Sequence, residues 1–236
     1  MKPTWERGGI QLYLGDCRDV LPTLNASHIQ AMITDAPYGI GFESHGQHFK
    51  GAEVIHGDDS LDAALWALQM TADLPTACFF SPFRPLPVKW RSVLVWAKGP
   101  QVGIGGDRET CWKRDFELIG VRSNAALNGK RDSAVLTSWP ADVVKPTGHP
   151  AEKPVGLMAY LVKKLTPEDG LEPVVIDPFM GTGTTALACI ETGRKCIGIE
   201  IDRQWFALAV RRIDAALDQR RLPFPSECPA PEPSNA

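Results

Sequence analysis

Hydrophobic and polar positions follow two rhythms along the chain. Ile10-Gln11-Leu12-Tyr13-Leu14 alternates with period two and stops at Gly15-Asp16, which predicts a strand and a turn. Ile29 to Thr34 is a short apolar run ending at Asp35-Ala36-Pro37-Tyr38-Gly39. Leu61 to Leu74 has helical spacing, with Leu61, Leu65, Leu68 and Ala72 on one side. Ala77 to Phe80 and Val93 to Trp96 read as buried strands. Glu152 to Leu165 reads as a helix with Leu157, Tyr160, Leu161 and Leu165 apolar. Val174-Val175-Ile176 is a strand, Thr184 to Thr192 a helix closed by Gly193, Lys195 to Ile199 a strand, and Gln204 to Leu217 an amphipathic helix. Strands alternating with helices predict a three-layer α/β fold around a mainly parallel sheet.

Between roughly Lys98 and Gly148 the rhythm is lost. Gly99-Pro100, Gly103, Gly105-Gly106, Asn128-Gly129 and Lys145-Pro146-Thr147-Gly148 interrupt it. This stretch reads as recognition loops inserted in one domain spanning 1–221. Residues 222–236 hold five prolines and read as a disordered tail.

A chain of 236 residues with 44% hydrophobic and 22% charged positions suits one soluble domain with its own core. Its formal charge of −3 excludes a uniformly basic coat. The distribution matters more than the total. Residues 84–153 carry twelve basic and seven acidic side chains, while both flanking thirds are net negative. The middle third is thus the face expected to meet a polyanion, with Trp112 and Trp139 available to stack on bases. The cysteines, Cys17, Cys78, Cys111, Cys189, Cys196 and Cys228, form no CxxC pair and read as reduced, mostly buried thiols. No apolar run reaches the roughly 20 residues of a membrane span. The first residues carry no apolar signal region, so a cytoplasmic protein is expected.

Two segments carry chemistry. The first runs from Val174 to Thr185: a strand, then Asp177-Pro178-Phe179-Met180-Gly181-Thr182-Gly183, then a helix start at Thr184-Thr185. Glycines let a ligand approach the backbone, and the helix start offers unpaired N–H groups. No lysine follows Gly183, so this is not a nucleoside-triphosphate loop. Asp177 would repel a pyrophosphate but accept bonds from an ammonium. Glu200, closing the next strand before Ile201, is placed to bind a ribose diol. A ligand with a cationic amino-acid end and a ribose is S-adenosylmethionine. The GxGxxA spacing also leaves open a nicotinamide cofactor, although no oxidoreductase triad accompanies it.

The second segment is Asp35-Ala36-Pro37-Tyr38 at the end of a buried strand. The lone pair of an exocyclic amine on a base is delocalised into the ring, so the amine is a poor nucleophile. A carboxylate and a backbone carbonyl accepting its two N–H bonds favour a pyramidal nitrogen and stabilise developing positive charge. The ring of Tyr38 offers a stacking face for a base drawn out of the duplex. His45, His48 and His56, with Asp58 and Asp59, match no metal-ligand spacing. They read as a mobile loop that closes over the target base.

These residues resemble the DNA amino-methyltransferases that make N6-methyladenine or N4-methylcytosine. The catalytic signature of that family, [DNS]PP[YFW], is matched by Asp35 to Tyr38, with Ala36 in place of the usual proline. Its cofactor signature is matched by Asp177 to Thr185. The HPxxKP helix motif of one subgroup is matched by His149 to Pro154, and its opening motif by Leu14-Gly15-Asp16-Cys17. Val95 to Lys98 and Phe116 to Ile119 match more weakly. The catalytic segment precedes the cofactor segment, as in the beta group. The resemblance implies a permuted Rossmann-like S-adenosylmethionine-dependent methyltransferase fold. It implies Asp35, the Ala36 carbonyl, Pro37 and Tyr38 at the target amine. It places Asp177, Pro178, Phe179, Gly181, Gly183, Thr184, Thr185, Glu200, Ile201, Asp16, Lys153 and Pro154 around the cofactor, with no metal. Lys153 and Pro154 would border the methionine end. Aspartate at the first catalytic position points to adenine in double-stranded DNA, with N4-cytosine as the alternative. A DNA-binding regulator weakened by Ala36 is the non-enzymatic reading. A homodimer and a cognate restriction endonuclease stay open as partners.

Overall fold

The computed structural model describes residues 1–39, 43–44, 53–54, 58–99, 112–113, 115–139, 152–168 and 172–221. In chain order the elements are β1 (Trp5–Arg7), β2 (Ile10–Leu14), α1 (Cys17–Val20), β3 (Ile29–Asp35), β4 (Glu43–Ser44), β5 (Glu53–Val54), α2 (Asp62–Met70), β6 (Thr76–Phe80), β7 (Ser92–Ala97) and β8 (Phe116–Arg122). There follow β9 (Val135–Leu136), α3 (Val155–Leu165), β10 (Val174–Asp177), α4 (Thr184–Thr192), β11 (Lys195–Glu200) and α5 (Arg203–Arg221). Nine strands form one sheet in the order β1-β2-β11-β10-β3-β6-β8-β7-β9. The inner five, β2 to β6 in that order, are parallel. β8 runs antiparallel to both β6 and β7.

Parallel strands are covered on both faces, so they read as apolar runs and alternate residues feed opposite cores. Ile10 and Leu12 of β2, Ala31 and Ile33 of β3, Ala77 and Phe79 of β6, and Val175 of β10 enter one core with α3, α4 and α5. Tyr13, Met32, Cys78, Phe80 and Ile176 enter the other, with α1 and α2. This is the three-layer architecture expected from the pattern. Burying a side chain such as Leu157 or Leu161 of α3, each 1% exposed or less, contributes on the order of 1.5–3 kcal/mol.

The chain leaves β3 through α2 toward β6, and leaves β10 through α4 toward β11. β3 and β10 are neighbours, so the winding reverses between them. The carboxyl ends of those two strands form the crevice where an open α/β sheet binds its ligands. Asp35 and Asp177 are their last residues.

Three expectations need correction. The stretch 98–148 is not all loop, because β8 lies inside it and runs between β6 and β7. Gly120 lies within this strand, opposite Cys78 of β6 and Val93 of β7. A Cβ there would lie 2.3 Å from the Trp90 ring, so this glycine makes room for packing and does not break the strand. Helix α3 starts at Val155, not Glu152. Pro154 is its N-cap, with φ −62° and ψ 131°, and a residue before proline favours extended backbone, so Glu152 and Lys153 precede the helix. Helix α2 ends at Met70, four residues short of Leu74, where Leu74 instead closes a turn onto Thr71. The tail, 222–236, lies outside the described residues.

Candidate active site

The cofactor turn hangs from the ends of β10 and β11. Asp177 Oδ1 accepts from the Thr34 hydroxyl at 2.7 Å and the Phe179 amide at 3.1 Å, and Oδ2 accepts from the Thr185 hydroxyl at 2.5 Å. Burial pushes this carboxyl up to about 6, against the pull of those donors. Glu200 Oε2 accepts from the Gly181 amide at 2.8 Å, and Oε1 from the Asp202 amide at 2.7 Å. Burial pushes Glu200 up to about 7. The Met180 amide donates to the Ile199 carbonyl at 2.9 Å, which pins the turn over β11.

A side chain absent from the sequence reading braces this turn from behind. Arg212 of α5 donates to the Thr182 carbonyl and hydroxyl, each at 2.8 Å, and to Glu152 Oε1 at 2.6 Å. One guanidinium thereby joins the glycine turn to the segment that carries Lys153.

The catalytic segment is held by a different set. The Tyr38 and Gly39 amides donate to Asp58 Oδ1 at 2.6 and 2.9 Å, so the buried Asp58 shapes the turn after β3. The Tyr38 hydroxyl donates to Asp35 Oδ1 at 2.9 Å and lies 3.2 Å from Glu117 Oε2. Lys153 Nζ lies 2.5 Å from Asp35 Oδ2 and 3.2 Å from Glu117 Oε2, and Lys98 Nζ lies 2.5 Å from Glu117 Oε1. Two carboxylates and two ammonium groups thus meet in one cluster. Burial raises the Asp35 carboxyl, with Lys153 opposing it. Burial also works against ionising Glu117, but Lys153 and Lys98 outweigh it and hold that carboxyl at about 2. Burial and the two neighbouring carboxylates push the Tyr38 hydroxyl well above its ordinary value.

Both clusters open on one cavity of about 410 Å³, within the usual size range of small-molecule sites. Asp16, Asp35, Ala36, Pro37, Tyr38, Lys153, Asp177, Pro178, Phe179, Gly181, Thr184, Thr185, Glu200 and Ile201 all line it. Gly183 and Pro154 do not. Gly183 is the left-handed N-cap of α4 (φ 82°), and a Cβ there would lie 3.1 Å from Ala209 of α5, so it serves helix packing. Pro154 caps α3. The Lys153 ammonium, besides lining the cavity, reaches the Asp35 carboxylate. Asp16 caps α1 through the Arg18 amide and forms an ion pair with the Arg18 side chain.

The donor set fits S-adenosylmethionine. Asp177 and Glu200 are buried carboxylates that suit an ammonium and a ribose diol and disfavour a phosphate. Arg18, the arginine on the wall, is paired to Asp16.

Sequence reasoning missed Glu117, Lys98 and Arg212, and it read Asp58 as part of a mobile loop, whereas Asp58 is buried and holds the turn after β3 through the Tyr38 and Gly39 amides. The weak resemblance at Val95 to Lys98 and Phe116 to Ile119 was the available signal for the first two. Of the two tryptophans expected to stack on bases, Trp112 is 78% exposed. Trp139 packs on Tyr160 with ring centres 4.8 Å apart, and its carbonyl accepts from the Trp96 indole, which is a structural arrangement. Cys17, Cys78, Cys189 and Cys196 are buried free thiols. His45, His48, His56, His149, Cys111 and Cys228 lie outside the described residues. No described helix is long and apolar enough to cross a membrane.

A family model described as DNA methylase matches residues 95–211, about half of the chain. The type II methyltransferase M.ScaI of Streptomyces caespitosus is 27% identical over 91% of this chain and 84% of its own length. The solved M1.HpyAVI complex with S-adenosylmethionine superposes with a TM-score of 0.59 at 23% identity, covering 86% of this chain and 99% of that one. The cytosine-N4-specific PvuII DNA methyltransferase gives 0.65 at 15% identity, covering 92% and 94%.

Proposed function

This chain belongs to the N6-adenine and N4-cytosine DNA methylase family, and from that premise we propose that it methylates the exocyclic N6 of an adenine flipped out of double-stranded DNA. The observation that carries the reading is the single cavity that brings Asp35 and Tyr38 to face Asp177 and Glu200. S-adenosylmethionine supplies the methyl group on its sulfonium. Asp177 is placed to hold the ammonium of the methionine end and Glu200 the ribose hydroxyls, while the Gly181 turn lets the backbone close in. Asp35 accepts one N–H of the target amine and the Ala36 carbonyl the other. That directs the nitrogen lone pair at the methyl group and stabilises the positive charge that develops. The Tyr38 ring stacks on the extruded base.

Ala36 gives up the stiffness of proline, but the role needs only a backbone carbonyl. Pro37 keeps the preceding residue extended. Aspartate at position 35 favours adenine over cytosine. The basic stretches flanking β8 supply the phosphate contacts.

Purified protein is incubated with labelled S-adenosylmethionine and unmethylated DNA, and the nucleosides are identified by mass spectrometry. Labelled N6-methyladenine, absent with Asp35→Ala, is the expected result. N4-methylcytosine would keep the reaction and overturn the base.

A further inference from the structure

We propose that Glu117 is a positioning residue for methyl transfer, the acceptor that takes the Tyr38 hydroxyl and the Lys153 ammonium off Asp35 when the target amine enters. The inference rests on the reading of Asp35 as the acceptor of that amine.

Both oxygens of Asp35 are already engaged, Oδ1 by Tyr38 at 2.9 Å and Oδ2 by Lys153 at 2.5 Å. An entering N–H group must compete with these donors. Both donors already stand 3.2 Å from one atom, Glu117 Oε2. The Tyr38 hydroxyl has a single proton and can serve one carboxylate at a time. Turning that proton from Asp35 to Glu117 needs rotation about the C–O bond, with the ring left in place to stack. Lys153 has three protons and reaches both carboxylates, so it shifts between them without leaving the cluster. Lys98, 2.5 Å from Oε1, supplies the second cation that keeps Glu117 an anion throughout.

The fold explains why Glu117 can do this. It lies near the start of β8, opposite Trp96 of β7, and is 13% exposed at the side chain. The groups that act on Asp35 come from every neighbouring element. They are Tyr38 beyond β3, Lys153 before α3, Glu117 on β8, Cys78 on β6 and Asp177 on β10, with Lys98 acting through Glu117.

The test compares wild type, Glu117→Gln and Glu117→Asp on the same unmethylated duplex, with S-adenosylmethionine affinity, kcat against pH and thermal unfolding measured for each. Glu117→Gln should leave cofactor affinity within about two-fold and lower kcat by at least about ten-fold. The acid limb of its kcat profile should move to lower pH, because Asp35 loses a repelling neighbour and keeps Lys153 to itself. Glu117→Asp should restore part of the rate. Wild-type kcat with an unmoved acid limb would overturn the inference. So would a loss of rate with an unmoved limb and a parallel fall in cofactor affinity and melting temperature, the signature of a packing role. If wild type methylates a base and Glu117→Gln does so equally well, only this inference fails. If wild type methylates none, the underlying reading fails with it.

Discussion

Lys153 Nζ sits 2.5 Å from Asp35 Oδ2, although 118 residues separate the two in the chain. The Lys153 side chain is almost wholly enclosed, at 4% exposure, while the Asp35 side chain keeps 23%. Burial disfavours the charged form of each, and each is the partner that makes the other's charge tolerable. Attraction to Asp35 and Glu117 raises the lysine above its ordinary value despite its burial.

Replacing Lys153 by methionine keeps the bulk and removes that partner. Asp35 then moves further up, because burial is no longer opposed by the lysine. Its work needs the carboxylate, which is present above the pKa and lost as pH falls through it. The kcat of Lys153→Met should fall near neutral pH and recover progressively as the pH is raised. A pH–rate profile checks this, and an equal loss at every pH would refute the electrostatic role.

Much of this arrangement could be read from the chain alone. The strands β2, β3, β10 and β11 are buried on both faces or alternate cleanly, so their apolar runs predict them. The turn residues after β3 and β10 stand at strand ends, where the topology concentrates chemistry. β8 escaped because it is embedded in a stretch that Gly99-Pro100, Gly103, Gly105-Gly106 and Asn128-Gly129 make read as loop, and Phe116 to Ile119 stood out only through the weak resemblance. Glu117 and Lys98 escaped with it, since one carboxylate and one lysine far apart in the chain form a pattern only after β7 and β8 pair. Arg212 is invisible for a similar reason, being one of several arginines on a long amphipathic helix. Gly183 was read correctly as special, but its freedom of backbone serves α4 and α5 and not the ligand.

Arg212→Met should loosen the cofactor turn. The variant leaves the buried Glu152 without this charged partner and removes two bonds to Thr182. Losing a charge-assisted bond to a buried group costs about 1–3 kcal/mol. Unfolding free energy should drop by about that amount, and S-adenosylmethionine affinity should weaken by about ten-fold, since the Gly181 and Thr182 backbone lines the cavity. Denaturant unfolding and a cofactor titration read the two effects separately. A stability loss with unchanged affinity would show that the brace does not reach the ligand.

Gly183→Ala tests the reassignment of that glycine. The residue has φ 82°, and its new methyl would sit 3.1 Å from Ala209 Cβ and 3.2 Å from Ile213 Cδ1. Left-handed backbone in a non-glycine residue costs on the order of 1 kcal/mol, and the crowding adds to it. The expected result is a loss of about 1–3 kcal/mol in denaturant unfolding. Cofactor affinity in the folded fraction should change little. A variant of wild-type stability with abolished cofactor binding would return Gly183 to the ligand.

The two acids at the cofactor end make stability and binding respond to pH in opposite directions. Glu200 moves from an ordinary 4.5 to about 7 and Asp177 from 3.8 to about 6, both through burial. Between the ordinary and the raised values the folded chain holds protons that the unfolded chain has released. Stability of the ligand-free protein therefore falls as pH rises through that window, from about 4 to about 7, by on the order of 5 kcal/mol for the two groups together. The ligand reverses the preference. An ammonium beside Asp177 and two hydroxyls on Glu200 favour the carboxylates, so binding must expel protons wherever they are still held. S-adenosylmethionine affinity should rise several-fold from about pH 5.5 to about pH 7.5 and level off above that. Calorimetry in buffers of different ionisation enthalpy should find a net proton release near pH 6.5 that vanishes near pH 8. In Glu200→Gln the residual pH dependence should follow Asp177 alone and shift about a unit lower. An affinity that is flat across this range would mean that neither carboxyl changes its protonation when the cofactor binds.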